Sequence, residues 1–313
     1  MTDWVVTSPV RLDMFLSLKE GVKSRASAQK AIKGKRVFVN GKIVAKPSLR
    51  LSGGDRVSLL EEERTIDRLF ERHSDLQLDV LYEDDACLVI DKPRGVAVHP
   101  GAGMKIGETT VLSALTNLFS KRSLPFSESE VLVHRLDKDT TGCLIAAKNP
   151  EAHLKLQQQF LNRTIEKKYL ALVAGIPSPA AAIIDADIGR HTGNRTKMSV
   201  VQATKSRYAR TTYRMIASSQ GVALLALDLH TGRTHQIRVH LKAIGNPVLG
   251  DRKYGDSGVS VLNKKFGIDF LCLHAWRLKF RSPTGNDVTV KSPVPKEFMG
   301  LISKLGMSVK LPG

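Results

Sequence analysis

Signatures of bound cofactors are missing from this sequence. It has no GxxxxGK[ST] phosphate-cradling loop, no strand-borne GxGxxG, no HExxH and no GxSxG. That pattern suits chemistry done by side chains alone, so no cofactor is expected. Cysteine is scarce. Cys87, Cys143 and Cys272 are far apart and odd in number, which argues against a disulfide framework and against a CxxC metal site. They are read as buried thiols in a reducing cytoplasm. No apolar run is long enough to cross a bilayer. The longest, from Leu170 to Ile184, is interrupted by Pro177 and Pro179. The N-terminal MTDWVVTSPV carries no basic segment followed by an apolar one, so no secretory signal is expected.

Acid is also in short supply, with 30 Asp and Glu against 48 Lys and Arg, a net charge of +18 and a pI of about 9.9. Such an excess favours a polyanionic partner, nucleic acid before an anionic membrane surface. The 313 residues are 42% hydrophobic, enough for one large domain and a small one, each with a core.

Residues 1–60 read as a separate module. Leu12, Phe15 and Leu16 have helical spacing, and a second helix is expected from Ser24 to Lys33, with serines as N-caps and Gly34 as a stop. Asn40-Gly41 lies between two β-branched runs and predicts a hairpin. Residues 53–55, GGD, turn into a last strand. The module holds twelve Lys or Arg against four Asp or Glu, a net of +8. A compact helix–helix–hairpin unit with that charge suits a grip on RNA better than a merely solvated face. Residues 61–79 read as a charged linker, and 80–313 as the larger domain.

In that domain LVID and VAVHP read as strands, GCLIAAK as a buried strand, PEAHLKLQQQFLNRTI as a helix and KKYLALVAG as a strand. GVALLALDL is a further strand. RTHQIRVHLKAIG is a helix with Ile237, His240, Leu241 and Ile244 on one face. Irregular alternation with hairpins and proline stops predicts an α+β fold with a mixed, largely antiparallel sheet and flanking helices. His230, His235 and His240 are five apart. A strand end and a helix would not turn them to one face, so they are read as satisfied or surface histidines and no metal site is expected.

The stretch HRLDKDTTG, 134–142, places Asp137 among cations, and TGRTHQIR puts Arg233 where a helix begins, a place that favours anions. A structural ion pair would account for a lone aspartate. In order along the chain, however, KPRGVAVHPGAG, HRLDKDTTG, KYLALVAG, TGRTHQIRVH and NPVLGDRKYGD resemble the RluA-type pseudouridine synthases over about residues 80 to 295. With IGRHTGNRTKMSV they look closest to the RluD branch. The N-terminal RLDMFL, SRASAQKAI, VFVNGK and GGDRV are similar to the small RNA-binding module of ribosomal protein S-four.

The resemblance implies isomerisation of uridine to pseudouridine, mostly in large-subunit ribosomal RNA, with no atom gained or lost. By this likeness Asp137 is the catalytic carboxylate. It could attack the anomeric carbon or the uracil ring, or remove a sugar proton. Arg233 would pair with Asp137 and orient it. Tyr169 would stack on the uracil with its hydroxyl near the migrating ring, and Arg135 would help hold the target nucleotide out of its stack. RNA contacts are expected from Lys138, His235, Arg195, Lys197, Arg25, Lys33, Lys35 and Arg36, and the protein is expected to act as a monomer. Cys143 stands where the family usually has an aliphatic residue of similar volume. The main rival is a ribosome-assembly factor that only binds RNA. Charge and the N-terminal module fit it equally well, whereas Asp137, Tyr169 and Arg233 together do not. A membrane-surface protein would need an amphipathic anchor, and none is evident.

Overall fold

Separate sets of apolar residues build the cores of two units. In the computed structural model the chain divides into compact units Met1–Arg72 and His73–Gly313. The residues described are 2–19, 22, 24–60, 76–101, 104, 107–124, 128–194, 196–201 and 203–311. Most of the expected linker lies outside them, and by Asp79 the chain is already a strand.

The smaller unit runs β1 (Thr2–Val5), β2 (Val10–Arg11), α1 (Leu12–Ser17), α2 (Arg25–Lys33), β3 (Val37–Val39), β4 (Lys42–Val44), β5 (Arg50–Leu51) and β6 (Arg56–Leu59). Helix α2 begins and ends at the expected signals. The Ser24 hydroxyl accepts from the Ser27 amide at 3.2 Å, and Gly34 is the C-cap. Asn40 (φ 51°) and Gly41 (φ 78°) both take left-handed backbone between β3 and β4. That is the turn whose twist matches a hairpin. The sheet order is β1-β6-β3-β4, with β2 paired to β5. Leu12, Leu16, Ala28, Ile32 and Val37 are buried between helices and sheet.

The larger unit continues with β7 (Asp79–Glu83), β8 (Cys87–Lys92), α3 (Val111–Lys121), α4 (Glu128–Val131), β9 (Thr141–Ala147), α5 (Pro150–Leu161), β10 (Glu166–Ala174), β11 (Ala181–Asp185), β12 (Ile188–His191), β13 (Met198–Ser199) and β14 (Ala203–Arg207). It ends with β15 (Arg210–Ser219), β16 (Val222–Leu229), α6 (Gln236–Ala243), α7 (Ser257–Phe266), β17 (Leu273–Arg281), β18 (Asp287–Lys291) and α8 (Lys296–Lys304). Nine strands form one sheet in the order β11-β15-β16-β10-β17-β9-β8-β7, with β18 on β17. Every pair is antiparallel except β9 with β17. The mixed, largely antiparallel α+β expectation holds.

Period-two alternation buries both faces of this sheet. Leu88, Ile90, Leu144 and Ala146 join a core shared with Leu115 and Phe119 of α3 and Phe298 of α8. Cys87, Val89, Cys143 and Ile145 face a second core with Ala152 and Leu156 of α5. All three thiols are buried and free. VAVHP is not a strand, contrary to expectation. The carbonyls of Ala97 and Val98 instead accept from the Val111 and Leu112 amides. They satisfy the otherwise unpaired first turn of α3 rather than a neighbouring strand. Helix α6 starts at Gln236 rather than Arg233, and Ile244 is left 38% exposed.

Candidate active site

The loop carrying Asp137 joins α4 to β9 and is fastened from beneath. His134 accepts from the Ile145 amide at 3.0 Å, and its ring stacks on Phe160 at 4.7 Å. Burial, helped by the charge of Lys167, pushes its pKa down to about 3, so it is neutral and can accept. Lys92 is wholly buried and donates to the carbonyls of Pro93 (2.7 Å) and Lys138 (2.9 Å). Burial lowers its pKa to about 8, against the pull of Asp139, Asp137 and Asp91. The Thr140 amide donates to the Asp137 carbonyl at 3.1 Å and closes the turn. Gly142, at φ 111°, ends the loop because nothing larger fits. A Cβ there would lie 2.2 Å from the carbonyl oxygen of Ala275. At that point β17 holds one extra residue against β10, between the pairs Lys168↔Arg277 and Leu170↔His274. Such a bulge re-aims neighbouring side chains, and Tyr169 is the residue between those pairs.

The Asp137 side chain is 15% exposed and accepts from Nη1 of Arg238 at 2.9 Å. Arg238 spends its other edge on Asp251, with Nε to Oδ2 at 2.7 Å and Nη2 to Oδ1 at 2.8 Å. The Asp251 side chain is fully buried and also accepts the amides of Lys253 and Tyr254 at 2.9 and 3.0 Å. Burial opposes the charge on Arg238. The bonds and charge of Asp251, then those of Asp137, overcome it and raise the pKa above its ordinary value. The Tyr254 ring lies 5.1 Å from the guanidinium carbon. Its hydroxyl meets Nδ1 of His235 at 2.7 Å and accepts from the Met198 amide at 3.0 Å. His235 caps α6 in left-handed backbone (φ 56°), and burial holds its pKa at about 4.

The expected partner of Asp137 therefore changes. Arg233 precedes the helix, and its Nε donates to the Tyr208 carbonyl at 2.9 Å. Its amide donates to Oε1 of Gln236 at 3.0 Å. The first turn of α6 brings Arg238 to the carboxylate instead. Sequence reasoning passed over Arg238, although an arginine inside the apolar run IRVHL has to find an acid when buried.

A cleft of about 430 Å³ brings Asp137, Tyr169, Arg233, Arg135 and His235 together, and Phe160 and Lys167 also line it. Tyr169 is 6% exposed, and burial with the charge of Asp137 raises its hydroxyl pKa, so it stays protonated. The Thr140 hydroxyl, also in the cleft wall, is buried without a hydrogen-bond partner among the described residues. Lys138 is engaged with Glu108 at 2.7 Å. In the smaller unit Arg25 pairs with buried Asp13 at 3.0 Å, whereas Lys33 and Lys35 are exposed and Arg36 is half-buried. Lys197 is half-buried, and its carbonyl accepts from the His191 amide. Arg195 lies outside the described residues. His230 bonds Thr212, and His240 bonds Thr211 and the Ala186 carbonyl. With His235 held by Tyr254, the three rings do not converge. Among the described residues no group of three His, Cys, Asp or Glu is placed to hold a metal ion.

Asp137 and the protonated Tyr169 thus share one cleft, which Arg135, Arg233 and Lys167 also line. The chain matches the RNA pseudouridylate synthase pattern over residues 86–243 and the S4 domain pattern over residues 10–57. It belongs to the RNA pseudouridylate synthase family and is an isomerase acting on RNA. Ribosomal large subunit pseudouridine synthase D of Nitrosomonas europaea is 38% identical over 300 residues, covering 95% of this chain and 84% of that one. Its counterpart of the same name from Vibrio cholerae is 37% identical over 287 residues, covering 88% and 85%. Among solved structures, human RNA Pseudouridylate Synthase Domain Containing 4 superposes with a TM-score of 0.60 at 26% identity, covering 80% of this chain and 98% of that one.

Proposed function

We propose that this enzyme isomerises specific uridines of large-subunit ribosomal RNA, with Asp137 as the reacting carboxylate and no cofactor. The observation that carries the reading is Asp137 itself, held by Arg238 at the wall of the cleft that Tyr169 lines. The reaction detaches uracil, turns it and rejoins it through carbon 5. The base keeps every atom, so a carboxylate, a protonated phenol and cations that hold the strand suffice. The carboxylate could itself attack the sugar or the base, or remove a sugar proton. Tyr169 offers the uracil a stacking face and a hydroxyl that donates. Arg135 and Arg233 meet the strand at the mouth, where the target has to leave its stack. The names of the relatives support the large-subunit target, and such a role falls in ribosome maturation in the cytoplasm.

The test is to map pseudouridines in ribosomal RNA from cells with and without the protein. Sites should vanish from large-subunit RNA and return with the parent gene. Loss confined to other RNAs would refute the ribosomal target, and no loss at all would refute the reading.

A further inference from the structure

The guanidinium that orients Asp137 is shared, and the other carboxylate holds the larger share. Arg238 gives Asp251 two hydrogen bonds and Asp137 one. Asp251 is fully buried, and two backbone amides aim its carboxylate. The Tyr254 ring covers a face of the same guanidinium. An arginine fixed on three sides cannot follow Asp137, so it defines where that carboxylate points. Its charge is also matched by Asp251 before Asp137 is counted. A lone guanidinium would grip the carboxylate in a fork and dull it as a base or nucleophile.

We propose that Asp251 is a positioning residue that locks Arg238 and offsets its charge, so that Asp137 is oriented without being neutralised. Asp251 acts through Arg238 and does not touch the substrate. The proposal rests on the reading of Asp137 as the reacting carboxylate. Other groups that feel the charge of Asp137 come from every neighbouring element: Lys92 at the end of β8, Tyr169 on β10, His235 at the cap of α6, and Lys253 and Tyr254 after Asp251. Of these, His235, Lys253 and Tyr254 also feel the charge of Asp251, whereas Lys92 and Tyr169 answer to Asp137 without it.

The experiment compares the full-length parent with Asp251→Asn, Asp251→Glu and Asp137→Asn. Single-turnover pseudouridine formation is measured from acid to neutral pH, alongside thermal melting and RNA affinity. Asp251→Asn keeps shape and removes charge. The full charge of Arg238 then falls on Asp137 and favours its anion, so the acid limb of the rate profile should move down by roughly one pH unit. The plateau should fall by roughly 10- to 100-fold, the range known for lost outer partners of metal ligands. RNA affinity should stay near parental. Asp251→Glu keeps the charge but shifts the fork. It should lower the plateau and leave the acid limb at the parental pH. If Asp251→Asn does not fold, Asp251→Ser, which keeps an acceptor in the site, takes its place with the same expected shift.

An unmoved acid limb in Asp251→Asn overturns the proposal, even if melting falls, because a purely structural residue would do just that. A limb that moves equally in Asp251→Glu overturns it too. Substantial turnover by Asp137→Asn instead overturns the reading of the site itself, so the two failures are told apart.

Discussion

Replacing Asp137 by Asn separates chemistry from scaffolding, and the geometry sets the size of each effect. Breaking a buried ion pair by removing one partner commonly destabilises by about 3–5 kcal/mol, because the survivor is stranded. Arg238 would not be stranded here, since its two bonds to Asp251 remain. What is lost is one charge-assisted hydrogen bond of about 1.5–3 kcal/mol. The amide oxygen of Asn can still accept from Nη1, so about 1 kcal/mol is the expected net loss. In a unit of this size that shifts melting by about 2–4 °C. RNA affinity should stay within about tenfold, or roughly 1.4 kcal/mol. Pseudouridine formation should fall below detection, because the amide is a very poor nucleophile and base. Calorimetry, a binding titration and a single-turnover assay on one preparation test all three points. A melting loss above about 10 °C together with surviving turnover in the folded fraction would make Asp137 a structural ion-pair partner and refute the argument.

Three further outcomes follow from the same structure. Tyr169→Phe keeps the stacking face and should bind RNA like the parent, while turnover falls by roughly 10² to 10⁴ through loss of the hydroxyl; near-parental turnover would leave only stacking. Removing residues 1–60 should flatten the salt dependence of RNA binding by about 0.7 to 0.9 in log–log slope per lost phosphate contact, with turnover on a short saturating RNA little changed; an unchanged slope would mean that the unit does not touch RNA. Burial holds His134 at about 3 and His235 and His274 at about 4. A histidine depressed in the folded state contributes stability above its unfolded value of about 6.5, and that stability is lost as pH falls toward the folded value, at roughly 1.4 kcal/mol per unit for each ring. Melting temperature should therefore drop between about pH 7 and about pH 5; a flat profile would show that these rings are not held neutral.

Local signals in the sequence were sufficient wherever the chain satisfies itself. Ser24, Gly34 and Asn40-Gly41 act within a turn of their own position, and the structure uses each as expected. VAVHP failed because its carbonyls serve a helix a dozen residues on, a pairing that composition does not encode. Asp137 and Tyr169 were legible through motif likeness and meet in one cleft. Arg233 and Arg238 lie five apart in one motif, and choosing between them depends on where α6 starts. That start is set by His235 in left-handed backbone and by Gln236 bonded back to Thr231 and Arg233. Asp251 and Tyr254 could not be joined to the site beforehand, since they come from a loop over a hundred residues past Asp137.

The open borders of the nine-stranded sheet have a consequence for a protein made in quantity. Among the described residues the run of paired strands ends at β11 and β7, and β18 pairs only with β17. An unpaired strand invites another chain to add itself, the first step toward aggregation. Strand β11 exposes Ile183 at 52%, which makes it the more vulnerable border. Pro177 and Pro179 stand just before it and Asp185 closes it, leaving five residues as a template. Strand β7 is as short and is bounded by Asp79 and Glu83. Proline denies an incoming strand its amide partner, and acid repels a second copy of the same edge. Proline and acid so placed work against edge-to-edge pairing of two copies at β11 and β7.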